Sequence, residues 1–173
     1  MKRLSLLLLF GLLGGCLVVT PGPTPTPSIP LRVLEARYQT DASVNDQPAI
    51  CDNRTTQLSY RFRFEGELQS WDSFLKGTTL NEEKGRRTFT PGADGVTPYE
   101  ANGYEVTYTL GANSTPYGEK GKTVSPNAIV VVPVPQPQII GNTILNVTLR
   151  GANGATANYA SPPIPVVINC PTS

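Results

Sequence analysis

LSYRFRFE, residues 58–65, alternates without a break between apolar and polar side chains: Leu58, Tyr60, Phe62 and Phe64 against Ser59, Arg61, Arg63 and Glu65. A period of two is the signature of a strand with one face buried and the other wet. Working outward, Tyr104, Val106, Tyr108 and Leu110 alternate with Glu105, Thr107 and Thr109, and Leu145, Val147 and Leu149 alternate with Asn146 and Thr148. Arg32–Gln39, Ala128–Val134 and Ile164–Asn169 are more continuously apolar and read as further strands. Pro133, Pro135 and Pro137 require the second of these to lie at a sheet edge or to end there, because proline donates nothing to a ladder. Clusters of Gly, Asn, Asp and Pro separate the runs, and Asp94-Gly95 is expected to turn a hairpin.

One stretch reads as helical. Ser70-Trp71-Asp72-Ser73-Phe74-Leu75-Lys76-Gly77 offers a serine cap, an apolar face at Trp71, Phe74 and Leu75, and a glycine stop. Its two turns suit a connection better than a layer. Seven or eight strands at these spacings predict an all-β fold, an antiparallel two-sheet β-sandwich. Over residues 31–173 the pattern resembles immunoglobulin-like and fibronectin type III-like modules, although the antibody order of Cys, Trp and Cys is missing. Val106–Asn113 and Val147–Asn153 also resemble each other, as two strand-and-turn units built alike.

The first 30 residues form a different kind of segment. Lys2 and Arg3 precede a ten-residue apolar stretch, Leu4–Leu13, too short to cross a bilayer as a helix. Even if extended to Val19 it spans only about 24 Å, short of a hydrocarbon core of roughly 30 Å. Leu13-Gly14-Gly15-Cys16 resembles the lipobox of bacterial lipoproteins. That resemblance implies a signal peptide over 1–15, cleavage before Cys16, a diacylglyceryl group on its thiol and an acyl group on its new amine. Several acyl chains on one residue anchor stably. Leu17 stands where an aspartate would retain such a protein on the inner membrane, so the resemblance implies the outer membrane. From 16 to 30 follows a tether: five prolines in Thr20–Pro30 favour extended polyproline II, with a reach of roughly 40 Å from Leu17.

Removing Cys16 from the count leaves Cys51 and Cys170, an even pair in an oxidising compartment, and a structural disulfide is expected between them. Chemistry is hard to place. The chain contains no histidine, so the commonest general base and metal ligand are missing, and neither cofactor nor metal is expected. Asp41, Asp46 and Asp52 share a loop region, but their spacing does not match a helix–loop–helix calcium site. Ser73 and Lys76 match Ser-x-x-Lys without its companion motifs. Glu82–Arg87 reads as an exposed charged tip.

Net charge is +1, and two of the 14 cations, Lys2 and Arg3, leave with the signal peptide, which turns the balance to −1. Nucleic acid is not an expected partner. After Lys122 only Arg150 is charged across 51 residues, a stretch suited to contact with a protein or an envelope polymer. The expectation is a non-catalytic, lipid-anchored envelope protein, an accessory or subunit of a surface assembly. Its rivals are a carboxylate-based envelope hydrolase and a carrier of a small ligand.

Overall fold

The computed structural model describes residues 29–116 and 136–170. The expected signal peptide, Cys16, most of the tether and the run Ala128–Val134 lie outside them. Eleven strands are found among the described residues: β1 (Arg32–Thr40), β2 (Ala42–Val44), β3 (Gln47–Cys51), β4 (Thr56–Glu65), β5 (Ser70–Gly77), β6 (Glu83–Phe89), β7 (Val96–Pro98), β8 (Gly103–Leu110), β9 (Gln138–Arg150), β10 (Thr156–Ala160) and β11 (Ile164–Ile168). They form two sheets, as the alternating runs predict. Sheet 1 has the order β1-β4-β8-β7; sheet 2 has β2-β3-β11-β9-β5-β6, with β10 added beside β9. All pairs are antiparallel except β3 with β11, which run parallel, so the expectation of an antiparallel sandwich is corrected at that one place.

LSYRFRFE forms most of β4, and its burial alternates as its sequence does. Leu58, Tyr60, Phe62 and Phe64 face Trp71, Leu75, Leu145, Val147, Leu149 and Ile164 from sheet 2 in one core. Rings carry the contact between the sheets. Phe62 meets Trp71 edge-on at 5.2 Å, Trp71 stacks on Tyr104 at 5.2 Å and on Phe89 at 5.6 Å, and Phe89 meets Tyr108 at 6.0 Å.

The helix expected over Ser70–Gly77 is not there: the segment is β5, flanked by β9 and β6. Trp71, Phe74 and Leu75 fit a helical face, but Trp71, Ser73 and Leu75 fit a strand face equally well. Ladder bonds on both sides and complete burial of Trp71 decide for the strand. Asp94-Gly95 does turn the chain, with Gly95 at φ 77°. It carries the chain from β6 in sheet 2 to β7 in sheet 1, and so does not make a hairpin.

The two similar strand ends close in like turns, Ser114 N–H to Gly111 C=O at 3.2 Å and Gly154 N–H to Gly151 C=O at 3.0 Å. The second continues as the β9–β10 hairpin. The charge-poor C-terminal half owes part of its composition to burial. Strands β9 and β11 lie inside sheet 2 and place Leu145, Val147, Leu149, Ile164 and Val166 in the interior.

Cys51 and Cys170 are bonded, with Cα atoms 6.1 Å apart. The bond joins the end of β3 to the residues just after β11, two neighbours in one sheet. It does not clasp one sheet to the other. It sits in a small second cluster with Ala42, Ala49 and Val167, and Cys51 N–H donates to Thr56 Oγ1 at 3.0 Å.

Candidate binding cleft

Sheet 1 stops short on one side. Strand β7 pairs only with Tyr104–Val106, so beyond Val106 the free edge of β8 has no neighbouring strand among the described residues. Opposite lies β6, the edge of sheet 2. Between them opens a cleft of about 380 Å³, walled by Leu75, Lys84 and Arg87 on one side and by Tyr108, Leu110 and Ser114 on the other.

The placement of its two cations depends on a bulge. In the β5–β6 ladder Ser73 pairs with Arg87 and Leu75 with Lys84, so one residue on β5 is matched by two, Gly85 and Arg86, on β6. Gly85 makes this possible with φ 68°, a left-handed conformation that side chains resist. In a regular strand, residues three apart point to opposite faces. The extra residue returns Lys84 to the side of Arg87, and both share the core-facing side with Leu75 and Ser73. Arg86 is turned outward, over the Phe74 ring at 3.9 Å and onto Glu83 at 2.6 Å. The expected exposed tip at Glu82–Arg87 is therefore an edge strand with a cationic inner side.

Behind Tyr108, which lines the cleft, lies a buried polar chain. Trp71 Nε1–H donates to Tyr60 OH at 2.9 Å, Tyr60 OH donates to Ser73 Oγ at 2.9 Å, and Ser73 Oγ is hydrogen-bonded to Tyr108 OH. Burial pushes both phenols up, so each stays neutral at physiological pH. Charge at the cleft comes from Arg87, whose Cζ lies 5.5 Å from the Tyr108 ring centroid, and from Lys84, 3.4 Å from Glu82. Among the described residues no carboxylate lines the cleft.

No family model matches the chain, and no curated protein matches it. Among solved structures, the chain is similar to the crystal structure of a Niemann-Pick type C2 protein from Japanese carpenter ant. The identity is 9%, the match covers 82% of this chain and 94% of that one, and the TM-score is 0.40.

The residues singled out in the sequence are placed elsewhere. Ser73 faces the core and Lys76, three residues along the same strand, faces away, so they form no dyad. Asp41 accepts from Gln57 N–H at 2.9 Å, and Asp46 occupies the β2–β3 turn at φ 61°. Asp52 is buried after β3, where its N–H donates to Val167 C=O at 2.8 Å. These three are not brought together; among the described residues no group of three or more Cys, Asp or Glu side chains is placed to hold a metal.

Several other acids pair with arginines. Asp72 meets Arg150 at 2.7 Å, Glu35 meets Arg37 at 2.7 Å, Glu100 meets Arg63 at 3.2 Å, and Glu65 meets Arg32. On the outer face of sheet 1 a shallow depression of about 170 Å³ separates Arg37 from Arg61, which are directly opposed across β1 and β4. Arg37 turns to Glu35, and Arg61 lies over the Tyr99 ring at 4.6 Å.

The cleft was not read from the sequence. The one available signal was Gly85 interrupting a charged run, which marks a bulge when it falls inside a strand.

Proposed function

We propose that this chain is a non-catalytic binding module of the cell envelope, anchored by lipid on Cys16 and held off the outer membrane by the tether over 16–30. The observation that carries the binding role is the cleft beside β6 and β8, which combines apolar walls with two cations and has no carboxylate among its described lining residues. Such a site can hold a molecule, and none of its described lining residues is a histidine or a carboxylate, the groups that most often serve as general base. The arginine-paired acids on the outer faces are likewise poor candidates for a hydrolase, which needs two carboxyls converging on one bond. A concave site of this size favours a carrier of a small ligand over a subunit that works only by surface contact.

The test places the photo-crosslinker p-benzoylphenylalanine at Ser114 in the full anchored chain, with Glu67 as a position away from the cleft. Illumination of intact cells should give an adduct at Ser114 alone, carrying a chemically unaltered small molecule. No adduct at Ser114, or release of a turnover product, overturns the binding role. Labelling with an alkyne fatty acid should mark the wild type and leave Cys16→Ala unmarked; equal labelling of both removes the anchor.

A further inference from the structure

We propose that the cleft selects a small amphipathic anion: an organic acid whose charged group lies between Lys84 and Arg87 while its apolar part rests on Leu75, Leu110 and the Tyr108 ring. The inference names the ligand class for the binding role proposed above and rests on that reading.

Lys84 is half-buried and Arg87 exposed, so both cations stand at the mouth of the cleft on the core-facing side of an edge strand, where like charges repel each other. Lys84 has Glu82 beside it at 3.4 Å, but Arg87 makes no ion pair among the described residues. A regular β6 would have separated the two cations onto opposite faces; the bulge at Gly85 brings them together. An anion held between them completes the pairing, and a guanidinium gives an acid group two parallel N–H donors. The rest of the wall is suited to hydrocarbon or to a ring. The neutral Tyr108 phenol is already committed to Ser73, so it does not repel the acid. The volume, about 380 Å³, lies within the range of small-molecule sites.

Inward charges on an edge strand also guard against strand-to-strand association. The two roles separate in one experiment. The full anchored chain, in nanodiscs of zwitterionic lipid with labelled leucine methyls, is titrated with 4-phenylbutyrate and with the neutral 4-phenylbutanamide. The acid should move the Leu75 and Leu110 resonances and bind at least tenfold more tightly than the amide. Lys84→Gln and Arg87→Gln should each weaken the acid about tenfold, the loss expected of a charged hydrogen bond. The double variant should bind acid and amide alike, and Glu82→Gln, which frees Lys84, should tighten the acid about twofold. An unchanged Trp71 emission shows that each variant is folded.

Equal affinity for acid and amide overturns the proposal. So does a double variant that aggregates while its folded fraction binds the acid unchanged, because the cations then act only as edge protection. Binding of the chain to phosphatidylglycerol vesicles with no response to 4-phenylbutyrate also overturns it, in favour of a membrane-surface contact. A neutral molecule captured at Ser114 in cells leaves the binding role standing and defeats this ligand class. Acid-selective binding in vitro without any adduct in cells does the reverse.

Discussion

Removing the Cys51–Cys170 bond tests what the C-terminal strand contributes to the fold. The bond closes a loop of 119 residues. In the chain-entropy account such a cross-link restricts the unfolded chain by about 4.9 kcal/mol at 25 °C. A domain of this size is stable by roughly 5–15 kcal/mol, so the loss is a third or more of the total. For Cys51→Ala with Cys170→Ala, the urea midpoint should fall by about 2.5 M, taking a slope of about 2 kcal/mol/M. The native ladder should survive, because β11 is held by β9 on one side and by β3 on the other. The penalty then arises in the unfolded ensemble, and most of it should appear as slower folding, on the order of three decades, with unfolding little changed. Equilibrium unfolding and stopped-flow refolding of oxidised, reduced and double-alanine chains measure both quantities. A loss under about 2 kcal/mol, or one carried entirely by faster unfolding, refutes loop closure as the source and makes the bond a local native contact.

Four other substitutions probe the fold. Tyr60→Phe strands the buried Trp71 Nε1–H and should cost about 1–3 kcal/mol, with a shift in emission from the single tryptophan; unchanged stability would mean that the polar chain contributes nothing. In Gly103→Ala the new Cβ would stand 2.2 Å from Tyr99 O and 2.8 Å from Phe62 O, both backbone, so a loss of about 2–3 kcal/mol is expected in thermal melts. Gly111→Ala meets open space and should stay within about 0.5 kcal/mol. Asp72 accepts from Thr88 Oγ1 and from Arg150, and these bonds hold its carboxyl below the usual range. That contribution is present above the unfolded carboxylate pKa, about 3.9, and is lost as pH falls through the depressed folded value. Asp72→Asn should therefore cost about 1–2 kcal/mol at pH 7, given a half-exposed arginine partner, and the gap to wild type should close in acid. A gap that persists at pH 2 contradicts the assignment.

Alternation made the sandwich legible. β4 follows its sequence pattern residue by residue, and β8 does so from Val106 onward, because a half-buried strand writes its two environments into alternate positions. The disulfide was legible too, through parity once Cys16 was set aside. β5 was not: Trp71, Phe74 and Leu75 satisfy a helical period as well as a strand period over eight residues, and only the ladders to β6 and β9 separate the two. The parallel pairing of β3 with β11 was equally hidden, since it joins segments more than a hundred residues apart.

The cleft marks the boundary between the two kinds of information. Sequence alone determined that two alternating sheets bury one aromatic-rich core, because side-chain period and hydrophobic burial are local properties of the chain. Which side of β6 carries Lys84 and Arg87 was decided by tertiary structure. Strict alternation puts residues three apart on opposite faces, and a bulge shows itself only against the register of the partner strand, where two residues of β6 lie against one of β5. The opening beside them likewise exists only in three dimensions, because β7 ends before it can cover β8.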